Sequence, residues 1–303
     1  MSQTSYDVIV IGEGVSGLAA AGALAERGLK VATMEAQLFG GLVINVNELE
    51  PAPEGLPASG AELAAELMQK NSERDVTSIQ EAVTALRDAG DVKEVVTDSG
   101  TYGARSVIVA SGARLKKLGV PGEAEFEGRG VSQCADCDGP MYQNEDAIVV
   151  GGGDSAFQEA LVLARYCRRV VLVHHGQSFK AAPHFVEQVK ANGKITIIRN
   201  ATVDAILGDK MVEKAHVRHT DGRSEEHVCA GVFAYIGLEP NAAFLPESVS
   251  RDAAGFVRTN ESFETALPGV FAIGAVRSGF GGTLVDVLKE ARSAAENVRA
   301  RLG

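Results

Sequence analysis

An α/β fold is predicted by a unit that occurs twice in this chain of 303 residues. In each copy a short apolar run leads into a glycine-rich turn, then an Ala- and Leu-containing helical stretch and a second apolar run. A doubly wound parallel sheet requires strand, turn, helix and strand in this order. The repeated unit therefore predicts two Rossmann-like dinucleotide-binding domains.

The first copy predicts a strand at residues 6–11, a helix up to residue 27 and a strand at 30–34. Between strand and helix, Gly12, Gly14 and Gly17 form a G-x-G-x-x-G fingerprint. The first glycine permits a tight turn, the second lets the backbone approach a pyrophosphate, and the third lets helix and strand pack closely. The start of the helix also offers free N–H groups and a positive dipole to phosphate.

Two acidic residues accompany this fingerprint. Glu35 stands at the end of the second strand, about 20 residues beyond Gly14, where a carboxylate can hold a ribose diol. Motif and acid together favour a dinucleotide site over a glycine-rich turn without a ligand. Glu13 is an anion inside the phosphate loop, so we expect its side chain to point to solvent.

The second copy predicts a strand at 147–150, a helix at 157–166 and a strand at 170–174. Gly151, Gly153 and Ala156 repeat the fingerprint, but His174 and His175 stand where the first copy has its carboxylate. An arginine cluster for a 2′-phosphate is also missing, and only His175 and Lys180 could partly serve. A fold retained without nicotinamide binding therefore remains an open alternative.

The remaining segments complete two such domains. A helix is expected to begin near Ser59, which forms a capping-box pair with Glu62, after a loop marked by Pro51 and Pro53. An amphipathic helix at 284–301 ends the chain. Further strands are expected at 76–86, 92–97, 106–110, 195–199, 214–219, 228–236 and 270–273.

Composition restricts the partners. The net charge of -11 argues against a nucleic-acid or anionic-membrane partner, since both require a basic surface. The sequence shows neither a signal peptide nor an apolar stretch long enough to cross a bilayer. Four cysteines in a chain of this length do not make a disulfide scaffold, so a reducing cytoplasm is expected.

A pair of cysteines lies between the two fingerprints, in the run Cys134-Ala135-Asp136-Cys137-Asp138-Gly139. Two cysteines at this spacing can close a small disulfide ring and open it as a dithiol. Half of a zinc site is the alternative, but it needs two more ligands, and Cys167 and Cys229 are isolated. We expect no metal, and we expect both isolated cysteines to be small buried residues. Asp138 could give or take the proton that thiol–disulfide exchange requires.

The order of these motifs resembles the low-molecular-weight thioredoxin reductase family over essentially the whole chain. Cys-x-x-Cys-Asp-Gly and the Gly-Gly-Gly-x-x-Ala at residues 151–156 carry the resemblance. It implies that Cys137 faces a flavin, that Cys134 exchanges with the substrate disulfide and that Asp138 is the acid/base. It also implies FAD contacts at Gly40, Gly41, Val83, Gly112 and Gly274.

Three departures from the family pattern concern the cofactors, and one of them is Lys289-Glu290-Ala291 on the last helix, where the family has Arg-Gln-Ala near the meeting point of flavin and donor. Ala275 stands where the family has an Asp that binds the flavin ribitol, although Thr283 at the start of the last helix could still aim a dipole at the flavin. His175, Gly176 and Lys180 stand where NADPH enzymes carry arginines. The resemblance therefore implies FAD as cofactor, with either NADH or NADPH as the donor.

The resemblance further implies an FAD-binding domain at residues 1–114 and 244–303, with the NAD(P)-binding-like domain inserted at 115–243. It implies a homodimer, a rotation between the domains, and reduction of a thioredoxin-like or small-molecule disulfide. A dithiol oxidase using oxygen, a ferredoxin-driven enzyme and a non-catalytic flavin-binding protein are the alternatives. Asp138 favours reduction, because the family's oxidases tend to carry His at that place.

Overall fold

The computed structural model of the protein describes residues 5–46, 49, 57 and 59–303. The chain divides into two compact units. One comprises the residues up to Arg114 together with Glu239–Gly303, and the other comprises Leu115–Leu238. The loop expected around Pro51 and Pro53 lies outside the described residues.

The described part of the chain contains six α-helices and seventeen strands. The helices are α1 Val15–Ala25, α2 Gly60–Ser72, α3 Ala135–Asp138, α4 Asp154–Tyr166, α5 Pro183–Ala191 and α6 Leu284–Leu302. The strands are β1 Ser5–Ile11, β2 Val31–Met34, β3 Thr77–Ile79, β4 Val83–Ala89, β5 Val92–Thr97, β6 Thr101–Val109, β7 Ala113–Leu115, β8 Val131–Ser132, β9 Asp146–Gly151, β10 Arg169–His174, β11 Ile195–Arg199, β12 Ala201–Gly208, β13 Val212–His219, β14 Ser224–Val228, β15 Gly231–Tyr235, β16 Leu238–Pro240 and β17 Val270–Ala272. Strands β3–β8 and β11–β17 follow one another without an α-helix between them.

The sheet of the first unit has the order β3-β2-β1-β6-β5-β4, with β17 also paired to β6. Strands β3, β2, β1, β6 and β17 run parallel, whereas β4 and β5 form an antiparallel extension. Val8 of β1 lies beside Val31 of β2 and Ser106 of β6. Because these strands are parallel, the loops at their carboxyl ends meet at one edge of the sheet, where ligands bind in such folds.

Small side chains let helices α1 and α6 pack closely in the first unit. Leu18, Ala20, Ala21 and Leu24 are fully buried on α1. The buried face of α6 is Val287, Ala291, Ala294, Ala295 and Val298. Burial of each larger apolar side chain contributes about 1.5–3 kcal/mol, so this contact holds the glycine-rich turn before α1 in a fixed place.

The second unit repeats the parallel arrangement. Its main sheet has the order β11-β10-β9-β15-β8, with all strands parallel. Phe157 and Leu163 of α4 and Phe233 of β15 are fully buried in its core. A separate antiparallel sheet has the order β12-β13-β14. The predicted α/β fold with two dinucleotide-binding units is thus confirmed.

Two predicted strands are each divided in two. Residues 76–86 form β3, at one edge of the sheet beside β2, and the start of β4, at the opposite edge. Residues 228–236 end β14 and then form β15, because the N–H of Ala230 bonds to Asp146 O at 2.8 Å and starts a different sheet. The apolar pattern continues through both breaks, so it could not show them. The pattern also missed α5 and β12.

Candidate functional site

The first glycine-rich turn leaves no room for side chains where the sequence has Gly12 and Gly17. Gly12 has φ +106°, and a Cβ there would lie 2.4 Å from the carbonyl oxygen of Ala110. A Cβ on Gly17 would lie 1.9 Å from the carbonyl oxygen of Gly12. Gly14 directly precedes α1, whose first N–H groups have no partner within the helix. The turn therefore has the shape of a phosphate-binding loop.

The Glu35 side chain bonds to the backbone of this turn and to the backbone that follows β2. Its Oε2 accepts from the N–H of Glu13 at 3.2 Å, and its Oε1 accepts from Ala36 and Gln37 at 2.9 and 3.1 Å. The carboxylate is half-buried at the carboxyl end of β2. It therefore lies beside the phosphate loop, where a ribose next to a bound pyrophosphate would be.

The Glu13 side chain does not point to solvent, and that expectation was wrong. The residue is 2% exposed, and its Oε1 accepts hydrogen bonds from Thr33 at 2.5 Å and Ser78 at 2.7 Å. Its carbonyl oxygen accepts from the N–H of Gly40 at 2.7 Å. The carboxylate turns away from the helix start because two hydroxyl groups on β2 and β3 can replace water as its partners. Glu13 thereby ties the turn to both strands.

Gly40 and Gly41 lie against the same turn. Gly40 has φ +103° and Gly41 φ +63°, and a Cβ on Gly41 would lie 3.4 Å from Cα of Gly14. The other FAD positions implied by the resemblance also lie in this unit. Val83 begins β4, and Gly112 follows β6 with φ +67° and open space where a side chain would be.

The segment after β17 is held by Glu290, which the sequence indicated only as a departure from the family pattern. The N–H of Gly274 donates to Oε2 of Glu290 at 2.8 Å, and the other oxygen of Glu290 forms an ion pair with Arg277. Glu290 is 6% exposed on α6, so a carboxylate among its buried alanines was the available signal. Ala275 follows, half-buried.

Thr283 caps helix α6. Its hydroxyl accepts from Asp286 N at 3.1 Å, and its own N–H donates to Asp286 Oδ2 at 3.2 Å.

The glycines without room for a side chain, the helix start and the Glu35 carboxylate fit the adenosine diphosphate part of FAD. The side chain of Ala275 offers no polar atom to the ribitol.

The second glycine-rich turn is similar in shape but differs in chemistry. A Cβ on Gly151 would lie 2.4 Å from the carbonyl oxygen of Tyr235, while Gly153 faces open space at the start of α4. Ala156 is fully buried. The turn fits a phosphate, but the strand beside it, β10, ends in His174 instead of a carboxylate.

His174 is 5% exposed and packs under the turn. Its Nε2 lies 3.0 Å from the carbonyl oxygen of Ser178, so this nitrogen carries the proton, since a carbonyl can only accept. His175 and Lys180 are exposed. Arg199, at the end of β11, lies 4.4 Å over the ring of Phe179 and adds a cation beside this loop that the motif did not indicate.

Cys134 and Cys137 form a disulfide with their Cα atoms 5.3 Å apart. Cys134 caps the four-residue helix α3, and its sulfur accepts from the N–H of Cys137 at 3.2 Å. Cys137 is exposed and Cys134 half-buried. The spacing in the sequence thus produces a closed ring at the start of a helix.

Polar groups surround this disulfide within the second unit. The hydroxyl of Ser132 accepts from the N–H of Cys134 at 3.1 Å and donates to Asp138 at 2.5 Å. Glu159 of α4 accepts from the N–H of Ala135 at 3.2 Å. Burial raises the pKa of the Glu159 carboxyl, and the charge of Asp136 adds to this effect.

Burial also perturbs a nearby phenol. It raises the pKa of Tyr142 to about 12, and the charge of Asp138 adds to this effect. The cysteines and Asp138 could be predicted from the sequence, whereas Ser132, Glu159 and Tyr142 could not, because no motif links them to the cysteine pair.

The other two cysteines are buried and free, as expected. Burial raises the pKa of Cys167 to about 11 and that of Cys229 to about 12. Across the described residues, no group of three or more His, Cys, Asp or Glu side chains is arranged to hold a metal ion. No described helix is long and apolar enough to span a bilayer.

Relatives of known name match nearly the whole chain. It is 39% identical over 278 residues to the thioredoxin reductase of Mycolicibacterium smegmatis, covering 90% of this chain and 89% of the relative. It is 36% identical over 278 residues to the Treponema pallidum thioredoxin reductase, covering 91% and 90%. It is 38% identical over 278 residues to the bifunctional thioredoxin reductase/thioredoxin of Mycobacterium leprae, covering 90% of this chain and 60% of the longer relative.

A solved structure agrees with these relatives. Lactococcus lactis thioredoxin reductase superimposes with a TM-score of 0.92 at 32% identity, covering 98% of this chain and 99% of that one. The sequence profile of the pyridine nucleotide-disulphide oxidoreductases matches residues 6–297. The chain therefore belongs to the pyridine nucleotide-disulphide oxidoreductase family.

Proposed function

We propose that this protein is an FAD-dependent disulfide oxidoreductase of the thioredoxin reductase type. Electrons pass from a pyridine nucleotide through FAD to the Cys134–Cys137 pair, and from there to a protein or small-molecule disulfide. The observation that carries the proposal is the disulfide at the start of α3, a helix whose last residue is Asp138. The names of the relatives, which are thioredoxin reductases, support the same reaction.

The first unit is proposed as the FAD-binding domain, near residues 1–114 and 244–303. Gly12, Gly14 and Gly17 would admit the pyrophosphate to the start of α1, and Glu35 would hold the ribose diol. FAD, when bound, supplies the step between a two-electron donor and the disulfide. The further positions proposed to line it are Gly40, Gly41, Val83, Gly112, Gly274, Ala275 and Thr283.

The second unit is proposed as the NAD(P)-binding-like domain, near residues 115–243. Gly151, Gly153 and Ala156 would admit a pyrophosphate to the start of α4. His174, His175 and Lys180 would lie near the adenosine ribose, by analogy with the position of Glu35 in the first unit. Two imidazoles and one lysine make a weaker site for a 2′-phosphate than a pair of arginines would.

The cysteines and Asp138 carry the disulfide chemistry. Two electrons open the S–S bond, one sulfur takes up a proton from Asp138, and the other stays a thiolate. The Cys134 thiolate then attacks the substrate disulfide, and Cys137 resolves the mixed disulfide. The enzyme disulfide forms again and the two electrons leave with the substrate thiols.

A thioredoxin-like protein is the proposed substrate. The Mycobacterium leprae relative is named for a reductase and a thioredoxin in one chain. Met141 is 71% exposed, close after the cysteine pair, and offers an apolar contact to a protein partner. We also propose a homodimer that works in the cytoplasm, where thioredoxin-like substrates are kept reduced.

Two alternatives use the same site. A dithiol oxidase would run the relay in reverse, with oxygen accepting electrons from the flavin, and a ferredoxin-driven enzyme would not need the second dinucleotide site. Both alternatives are supported by residues 175–180 after β10, which contain neither a carboxylate for an NAD ribose nor an arginine pair for a 2′-phosphate. Asp138 favours the reductase over the oxidase. The closed Cys134–Cys137 ring opposes a non-catalytic flavin-binding role.

The test follows the flavin spectrum of the holoenzyme without oxygen, with NADH, NADPH and reduced ferredoxin added in turn. The proposal expects a pyridine nucleotide to bleach the flavin and a bacterial thioredoxin disulfide to restore its colour. Reduction by ferredoxin alone would replace the donor in this proposal. Flavin reduced by dithiols and reoxidised only by oxygen would reverse the direction of the reaction.

A further inference from the structure

Ser132 joins the two ends of the redox turn in the second unit. It is the last residue of β8 and is 9% exposed. Its hydroxyl oxygen lies 3.1 Å from the backbone nitrogen of Cys134 and 2.5 Å from Oδ2 of Asp138. One side chain therefore contacts both the residue that begins the disulfide ring and the carboxylate at the end of α3.

The direction of these two hydrogen bonds follows from the groups involved. A backbone N–H can only donate, so the Ser132 hydroxyl is the acceptor toward Cys134. Its own proton then points at Asp138, whose ionised carboxylate can only accept. Hydrogen bonds to an ionised partner are about twice as strong as neutral ones. The hydroxyl therefore sets the direction in which the carboxylate faces.

The backbone alone does not fix that direction. Helix α3 has four residues, and the N–H of Asp138 donates to the carbonyl oxygen of Cys134 at 3.1 Å. This bond fixes the main chain of Asp138, but its side chain still has two rotatable bonds. Ser132 comes from a strand of the parallel sheet and so ties the carboxylate to a rigid element outside the turn.

We propose that Ser132 is a positioning residue, which keeps the Asp138 carboxylate beside the Cys134–Cys137 pair while protons enter and leave that pair. The inference rests on the proposed function. When a thiolate opens the disulfide, the S–S bond breaks, the attacking sulfur joins one cysteine, and the other cysteine leaves with the bonding electrons. The Asp138 carboxylate first takes the proton that the attacking thiol loses on becoming a thiolate, and it then gives that proton to the leaving sulfur. The return step moves the proton back.

The test measures how fast dithiothreitol opens the Cys134–Cys137 disulfide in the holoenzyme, by quenching with an alkylating reagent at successive times. It compares Ser132→Ala, Asp138→Asn and the double variant with wild type. We expect Ser132→Ala to slow opening about tenfold, a part of the 10²–10⁴ that a positioned acid contributes. The solvent isotope effect should rise in this variant, because proton transfer becomes slower. Added to Asp138→Asn, the same substitution should change little.

Matched controls separate positioning from packing. Ser224→Ala, on the exposed strand β14, should behave as wild type. Ser132→Thr keeps the hydroxyl. Ser132→Val has the same shape as the Thr variant, with a methyl group in place of the hydroxyl. The Thr variant should therefore open normally and the Val variant slowly, and this pair also serves if the Ala variant does not fold.

Three results would overturn the inference. Equal slowing by Ser132→Ala in the wild-type and Asp138→Asn backgrounds would mean that Ser132 does not act through Asp138. Slow opening in Asp138→Asn with normal opening in Ser132→Ala would remove the positioning role alone. Normal opening in Asp138→Asn would remove the acid role and the positioning role together. The electron relay itself would still stand or fall on the anaerobic flavin experiment.

Discussion

Glu13 stabilises the phosphate loop, although its charge alone predicts that it would repel a phosphate. An anion in a phosphate loop should repel the ligand, yet its carboxylate is buried among the hydroxyls of Thr33 and Ser78. The same residue bonds Glu35 and Gly40 through its backbone. The side chain thus stabilises the conformation in which the turn and Glu35 face a common ligand.

The first prediction concerns this residue. Glu13→Ala leaves two hydroxyls without their acceptor and releases the turn, at a cost of about 1–3 kcal/mol. We expect weaker FAD retention and a lower melting temperature. Glu13→Gln keeps an oxygen acceptor and should retain most of the affinity. The measurement is the FAD dissociation constant by flavin fluorescence, and an unchanged constant in the Ala variant would contradict the role.

The second prediction divides the work between the cysteines. Cys134→Ser should leave a Cys137 thiol beside the flavin, giving a broad long-wavelength absorption that grows with pH as the thiol ionises. Cys137→Ser should lack that band but still trap a mixed disulfide with the substrate. Both variants should lose turnover. Near wild-type turnover in either would show that the pair is incidental, and the band in the other variant would reverse the roles.

Residue chemistry could be predicted from the sequence where a motif encodes it. The glycines of both turns, Glu35 and the cysteine pair have fixed spacings along the chain. The contacts of Ser132 and Glu290 and the burial of Glu13 could not be predicted, because each depends on where the folded backbone places a partner. Glu13 and Ser78, for example, are 65 residues apart in sequence.

The loop after β10 is the element that we propose to select the electron donor. Its basic side chains are His175 and Lys180, and Arg199 of the neighbouring strand β11 lies beside them. The loop is fixed to the glycine-rich turn, because the N–H groups of Lys180 and Ala181 both donate to the carbonyl oxygen of Gly152 at 2.8 and 3.1 Å. Substitutions in the loop should therefore change recognition without changing the fold.

The third prediction follows for this loop. NADPH should have no strong advantage over NADH, because charge-assisted bonds of about 1.5–3 kcal/mol each are missing. His175→Arg, on an exposed position, should raise the NADPH affinity about tenfold and leave that for NADH unchanged. Titration of both nucleotides checks this, with Arg165→Ala at the far end of α4 as control. A hundredfold NADPH preference in the wild type would contradict it.

Element boundaries could be predicted less well than element types. The repeated strand–turn–helix unit is a local pattern, so the sequence predicts it correctly in both copies. Strand β3 and strand β4 lie at opposite edges of one sheet although three residues separate them. Pairing between strands decides that placement, and a run of apolar residues carries no information about pairing.

The whole molecule consists of two units with separate cores, so a ligand of one unit need not stabilise the other. At a hundredfold excess over its dissociation constant, FAD should raise the free energy of unfolding of the first unit by about 2.7 kcal/mol. The melting temperature of that unit should rise as a result. The NAD(P)-binding-like unit should respond to pyridine nucleotide instead. We expect two thermal unfolding transitions, because each unit folds around its own core.

The fourth prediction tests this assignment by removing FAD and adding it back. Calorimetry should show one transition move with FAD and the other stay. Ala275→Asp restores a hydrogen-bond partner worth on the order of 1 kcal/mol, so it should bind FAD more tightly and enlarge the shift. FMN, which lacks the adenosine monophosphate part of FAD, is the control and should move neither transition. Failure to bind FAD even after reconstitution would remove the basis of the proposed function.

The buried thiols have a practical consequence for counting electrons. The chain has four cysteines, and burial keeps Cys167 and Cys229 protonated and out of reach of reagents in the folded protein. Mass-tagged alkylation of the native protein therefore reads only the remaining pair, with no tags in the oxidised state and both sulfurs tagged in the reduced state. After unfolding, Cys167 and Cys229 also react, and they add two tags per chain whatever the redox state of the pair. These two tags give an internal standard for each redox titration.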